Sequence, residues 1–399
     1  MNHKFLILSL LILLPVAIEA QSFGVVWRAV EANNLTLKAS RQLMEAEQMD
    51  NRVGLAPDNP EVEFAYLWGS GAAEGDRIDV SVTQSFDFPT TYVYRGRIAN
   101  LRNEQVNLTY LRECQALMQE VGELYYNILY QNVRIEDMEH CLKFLADVSE
   151  AYKRKLDAGS INIFEYNKVR LAELNLAQEK SHAEAEREGM LLELKRLNGG
   201  VALDVTDSEF PEMVVPSDFD AWYAQVTQNI PALLLIDKQM EENQQQVKLQ
   251  KSLWAPRFLA GYMREQIPSE VYQGVKVGVS VPLWQNANTV KQAKLRNSAL
   301  QLQSFDERSR AYNDLKSHYL MLLSVEKQIA DYHHLLESVD AMQLLNTALE
   351  SGQMSLVDYL FESSIYHESH ERFAELQYDA AKHYLVLQVY SGEIMQQVH

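Results

Sequence analysis

The sequence predicts a mainly α protein with a small β part. It is built as two structural repeats, each of long coiled-coil helices plus a two-strand β-hairpin. Three observations predict this. The same order of elements occurs twice at a nearly constant offset. Long stretches almost free of proline carry apolar residues in alternating steps of three and four. Short segments between them alternate strictly between apolar and polar positions.

The offset is set by landmarks of different kinds. Asn34 and Asn229, which open helical text, are 195 positions apart. Positions 87 and 282, at the ends of strand text, are also 195 apart, and Gly159 and Gly352 are 193 apart. The unit is a half-protein rather than a solenoid repeat: residues 21–200 form the first repeat, 201–216 a linker and 217–399 the second.

Taken in order, residues 1–20 read as a secretory signal peptide. Lys4 precedes the apolar run Phe5–Ile18, and Ala20 closes it; the run is shorter than the ~20 residues of a membrane span. No Cys follows Ala20, so no lipidated N-terminus is expected. In each half a first helix ends near Ala56-Pro57 or Ala255-Pro256. Strand pairs 61–68/78–88 and 257–263/274–283 come next, joined by loops 69–76 and 264–272. Val62, Phe64, Tyr66 and Trp68 share one face opposite Glu61 and Glu63, and Val275, Val277, Val279 and Val281 oppose Lys276 and Ser280. Two readings fit this alternation equally, a transmembrane barrel strand and a half-buried soluble sheet. Four strands cannot close a barrel, whose smallest form has about eight. If they cross a membrane, several chains share one barrel and so remove the free edges that lipid forbids.

Long helices 92–156 and 287–349 follow the strand pairs. Their apolar seams include Val121, Ile128, Met138, Leu145 and Tyr152 in one, and Leu315, Tyr319, Leu322, Ile329 and Leu349 in the other. Glycine turns at 157–161 and 350–354 break them, and helices 161–198 and 355–396 close the halves. Cys114 and Cys141 lie 27 residues apart in one helical stretch, roughly 40 Å, so they are expected as separate thiols and not as a disulfide.

The chemistry is sparse. Lys+Arg 36 against Asp+Glu 55 gives a net charge of −19, which argues against nucleic acid as a partner. It suits a soluble surface or a path that admits cations or basic partners. No nucleophile elbow, glycine-rich dinucleotide motif or phosphate loop is present, so no catalytic residues, no cofactor and no enzyme activity are expected. His333-His334 and His367-Glu-Ser-His370 offer the only metal-like spacing, without a third ligand visible, and read as scattered helix-surface histidines. Tyr66, Trp68, Tyr92, Tyr94 and Trp284 stand near strand ends, where an aromatic interface belt and ordinary packing are both open readings.

This order of elements, the strand-to-helix junction Val277-Gly-Val-Ser-Val-Pro-Leu-Trp284 and the paired turns Gly159–Glu165 and Gly352–Asp358 together resemble the TolC family of outer-membrane efflux proteins. The resemblance covers about 22–396. It implies a homotrimer with a 12-stranded barrel in the outer-membrane lipid and an α-helical periplasmic tunnel. It implies a passive conduit for export of small molecules or ions, partnered by a periplasmic adaptor protein and an inner-membrane pump. Alternatives are a periplasmic structural coiled-coil protein and an outer-membrane component specific for metal ions. By the same resemblance Gly159, Ser160, Gly352 and Gln353 form the periplasmic tip that docks the adaptor. Glu165, Met354, Asp358, Phe361 and Glu362 form the gate. From the residues alone, helix-start capping is the better account of Glu165 and Asp358, and the resemblance is what adds the gate role. Two departures stand out: Met354 takes the place of a basic residue common in the family, and Phe361 that of a second tip acid, so a ring of Phe361 closing by dewetting is expected in place of an ionic latch.

Overall fold

The computed structural model describes residues 22–69, 75–336 and 341–392. The signal segment 1–20, most of the loop 69–76 and the end of the last helix lie outside them. Helices α1 (Phe23–Asn33) and α2 (Leu35–Asp50) precede strands β1 (Glu61–Leu67) and β2 (Arg77–Phe86). Helices α3 (Pro89–Asp157) and α4 (Ile163–Leu197) complete the first half. The second half repeats the order with α5 (Phe219–Val226), α6 (Pro231–Ser252), β3 (Arg257–Ile267), β4 (Glu270–Ser280), α7 (Thr289–Leu336), α8 (Ala341–Glu350) and α9 (Leu356–Ser391).

Local chemistry sets the ends. Asn34 accepts from the Leu37 amide and starts α2, while Pro231 supplies a preset first helical residue for α6. The 69 residues of α3 amount to roughly 100 Å of helix, and it starts three residues before the seam text because Pro89 is itself a helix opener. The stretch expected as one helix over 287–349 consists of α7 and α8; residues 337–340 between them lie outside the described part. The second hairpin is longer than expected. β3 runs on to Ile267 and β4 starts at Glu270, so the loop expected over 264–272 shrinks to Pro268-Ser269. The added rungs pair Arg264 with Gln273, Glu265 with Tyr272, Gln266 with Val271 and Ile267 with Glu270, and this ladder is why polar text there is still strand.

The chain divides into two compact units. One holds the described parts of 1–33, 121–212 and 325–382. In it α1 buries Phe23, Val26, Trp27 and Val30, with Phe23 packed on Tyr125 and Tyr126. The seam residues Val121, Ile128, Met138, Leu145 and Tyr152 are all buried. The stretch expected as a linker is strapped down from its start: Val205 is fully buried, Asn132 donates to the Val205 and Asp207 carbonyls, and Tyr125 bonds the Asp207 carboxylate. Irregular backbone survives there because side chains satisfy its carbonyls.

The other unit holds 34–120, 213–324 and the described part beyond 382, and it contains the sheet. Strand order is β1-β2-β3-β4, antiparallel throughout. Asp87, at the strand-to-helix junction, is nearly buried and bridges Arg95 and Arg257 at 2.8 Å each, tying the sheet to the first turns of α3. Around α5 and α7, Phe219 packs against Trp222, Tyr223, Tyr312 and Tyr319, with the Lys316 ammonium 4.3 Å from its ring centre. No described helix is long and apolar enough to cross a membrane.

Candidate functional site: a two-faced sheet and a helical tip

Residues paired directly across antiparallel strands share a face, so the register sorts the sheet into two surfaces. One carries Val62, Phe64 and Tyr66 of β1, with Val82, Val80 and Ile78 of β2 opposite them. It continues through Tyr262, Ala260 and Phe258 to Val275, Val277 and Val279, with the polar Arg264, Gln266 and Gln273 on the same face toward the β3–β4 turn. The other face carries Glu61, Glu63, Asp79, Ser81, Glu265 and Lys276. There Ser81 bonds Glu63 at 3.1 Å, and Arg77 bridges Asp79 at 2.8 Å and Glu265 at 3.1 Å. The apolar face is uncovered: Val275 is 85% exposed, Val277 82% and Phe64 68%. Among the described residues β1 and β4 each pair on one side only. At one end of the face Tyr66 and Trp68 pack edge to face at 5.6 Å, and past the other end Trp284, after β4, is 78% exposed. Tyr92 differs, because its hydroxyl accepts from the Asp87 amide and its role is packing.

The two glycine turns have matching geometry within the first unit. Gly159 has φ +69° and Gly352 φ +72°. Ser160 N–H reaches Lys155 O at 2.9 Å, and Gln353 N–H reaches Ala348 O at 2.9 Å, so both helices end in the same left-handed cap. Asn162 caps the Glu165 amide at 3.1 Å. Ser355 caps the Asp358 amide at 3.2 Å and donates to its carboxylate at 2.6 Å. The capping explanation of Glu165 and Asp358 is therefore present in the single chain.

Beneath the turns lies an apolar cluster of Leu145, Val148, Tyr152, Val169, Leu349, Leu356 and Tyr359. Tyr359 is fully buried with its hydroxyl on Asn346 at 2.8 Å, and burial pushes that hydroxyl up to about 12. Met354 is half-buried and packs against this cluster, which separates it from the other residues expected at the gate. Asp358, Phe361 and Glu362 fall on one exposed face of α9, with Phe361 62% exposed. Glu165 stands at the matching place on α4, beside Phe164, which is 74% exposed. Gly159, Ser160, Gly352 and Gln353 are all exposed.

A second cluster went unseen in the sequence reading. His367 Nδ1 lies 2.8 Å from Asp137 Oδ2, and Cys141 joins them. The carboxylate beside it and the thiol hold the His367 imidazole up at about 10. Asp137 and Cys141 are one helical turn apart on α3, as His367 and His370 nearly are on α9, but the two pairs are separated by 230 positions. His333 and His334 are exposed on α7. Both cysteines are free and buried.

No protein-family model matches the chain, and no curated protein does. Solved structures do. CusC, described for its folding and transmembrane channel formation, superposes with a TM-score of 0.78 at 12% identity, over 92% of this chain and 91% of that one. VceC, an outer membrane protein of Vibrio cholerae, gives 0.76 at 11%, over 93% and 96%. The MtrE outer membrane channel of Neisseria gonorrhoeae gives 0.75 at 13%, over 93% and 88%. The chain has the fold of these outer-membrane channel proteins.

Proposed function

We propose that this chain is one subunit of a homotrimeric outer-membrane channel that serves a tripartite export system. The observation that carries the reading is the sheet. It has one exposed face dominated by apolar residues, an opposite face that carries most of its acids and, among the described residues, two unpaired edges. In water such a face is a large unsatisfied patch, and in lipid such edges are forbidden. Both are resolved together when three copies join edge to edge, three times four strands giving a closed 12-stranded barrel with its apolar side in lipid. The strand lengths of 10 and 11 residues in β2, β3 and β4 match the ~9–11 residues of a tilted membrane strand. The polar face, with Glu63, Asp79 and Glu265, then lines an aqueous lumen with acids, which suits passage of small molecules or cations.

The exposed turns 157–161 and 350–354 form the periplasmic tip, where Gly159, Ser160, Gly352 and Gln353 meet a periplasmic adaptor protein. Asp358, Phe361 and Glu362, together with Glu165, face the axis of the trimer and set its constriction. Phe361 narrows it by dewetting and Asp358 gives it cation preference. The energy of transport comes from an inner-membrane pump, and the chain itself performs no chemical step. Export to the outer membrane follows from residues 1–20 as a signal peptide.

The test is planar-bilayer conductance of the detergent-extracted protein against Asp358→Ala and Phe361→Ala. Discrete channels of trimer size, small in wild type and larger in Phe361→Ala, with weakened cation preference in Asp358→Ala, are expected. A protein that extracts without detergent and conducts nothing overturns the membrane reading and leaves a periplasmic coiled-coil protein.

A further inference from the structure

We propose that Asp137 and Cys141 of α3 and His367 of α9 form a transition-metal site, suited to a zinc ion, that clamps these two helices together. Three donor atoms of different chemistry, a carboxylate oxygen, a sulfur and an imidazole nitrogen, already lie within 4.8 Å of one another. The geometry needs no new backbone: Asp137 and Cys141 face the same way because they are one turn apart, and His367 Nδ1 already meets the Asp137 carboxylate at 2.8 Å.

The donor set chooses the ion. A thiolate and an imidazole exclude magnesium and calcium, which take oxygen, while the carboxylate disfavours copper(I), which takes soft ligands. Zinc takes sulfur, nitrogen and oxygen together in a tetrahedron. A fourth ligand is close at hand. His370 Nδ1 lies 3.9 Å from Asp137 Oδ1, and a cavity of about 190 Å³ lined by Asp137, Met138, His367 and His370 has room for a water.

The surroundings favour a cation. Arg134 is held by Glu371 at 2.7 Å and by Glu179 at 3.3 Å, so two carboxylates surround one guanidinium and the neighbourhood stays negative. That same guanidinium blocks the alternative trio of His367 with Glu179 and Glu371, whose carboxylates are already engaged. Cys141 is only 9% exposed, which protects a thiolate ligand from oxidation once it is bound. On binding, the thiol proton and the proton shared between His367 and Asp137 leave to solvent, and metal–sulfur, metal–nitrogen and metal–oxygen bonds replace them. The site does not depend on the channel reading, because a periplasmic coiled-coil protein would carry it too.

The experiment uses the full chain in detergent, stripped with chelator and dialysed against zinc, with bound metal counted by mass spectrometry. Cobalt is the second probe, because a bound thiolate gives a sulfur-to-cobalt charge-transfer band that carboxylates alone cannot give. About one zinc per chain and that band are expected in wild type and in Cys114→Ser. Both are expected to be lost in Cys141→Ser and in His367→Gln, with zinc affinity falling about 10-fold or more. Cys141→Ser is isosteric, and an unchanged gel-filtration profile certifies its fold. No zinc retained by wild type, or zinc and band retained by Cys141→Ser, overturns the proposal.

Discussion

The sheet and the helical cluster beneath the tip use the same apolar residues and treat them in opposite ways. In the tip cluster Leu145, Val148, Val169 and Leu356 are buried at helical spacing, and the buried Tyr359 hydroxyl is satisfied by Asn346. In the sheet Val275, Val277, Val279 and Val62 are exposed at period two, and polar groups occupy the opposite side of the same strands. The hydrophobic effect rewards removal of apolar area from water, not burial in protein. A face that stays bare in one chain therefore points to a second solvent or to more chains. The contrast also says what each region is answerable to: the cluster to its own packing, the sheet to its environment.

The largest effect is expected where packing alone decides. Tyr359→Ala removes a fully buried ring and its bond to Asn346. Truncation of a buried aromatic typically costs about 3–5 kcal/mol through lost transfer energy and the cavity left behind. Thermal unfolding of the detergent-solubilised protein should show the drop. A change within error would mean that the tip cluster is not a core, and the comparison with the sheet would lose one side.

The second effect separates the two solvents. Val277→Lys places a charge on the exposed apolar face, while Lys276→Val alters the opposite face one residue away. In water an exposed Val→Lys change falls within roughly 0.5 kcal/mol. In a bilayer a Lys near the midplane costs about 2–4 kcal/mol. Folding into lipid vesicles should suffer in Val277→Lys far more than in Lys276→Val. Equal behaviour of the two variants would mean that this face never meets lipid.

Much of the architecture was legible because periodicity and duplication are local properties of the text. The alternation at 61–68 and 274–281 announced the two-faced sheet, and the steps of three and four announced seams that are buried at Val121, Ile128, Leu315 and Leu322. The turns were legible from glycine, since both Gly159 and Gly352 adopt positive φ. Three things were not. The extra rungs of the second hairpin carry polar text, Arg264-Glu-Gln266, that pairing and not alternation holds in strand. The strap at 201–212 has no period at all; side chains such as Asn132 fix it from a distant helix. The Asp137–Cys141–His367 cluster joins two short helix-face pairs across 230 positions, a distance over which spacing carries no signal. Met354, expected at the gate, is half-buried and packs against the tip cluster, a contact that its place in the text did not announce.

The smallest effect concerns the backbone that the two tip turns share. An added Cβ at Gly159 or Gly352 would meet nothing within 4 Å, so sterics with neighbours play no part. The cost of Gly352→Ala lies in the left-handed φ alone, about 1–2 kcal/mol. Asn tolerates that region better, so Gly352→Asn should recover part of the loss, and Gly159 should behave alike because its turn has the same hydrogen bonds. Thermal unfolding of the four variants checks this: alanine below asparagine at both positions, by similar margins. The same proteins then sharpen the functional contrast. The Asn variants keep the cap but add a side chain to an exposed tip, so a loss of site-specific crosslinking to a periplasmic adaptor in variants that remain folded would show that the partner reads the bare backbone of the turn. Crosslinking unchanged in all four would move the docking surface away from Gly159 and Gly352 and leave these glycines a purely conformational role.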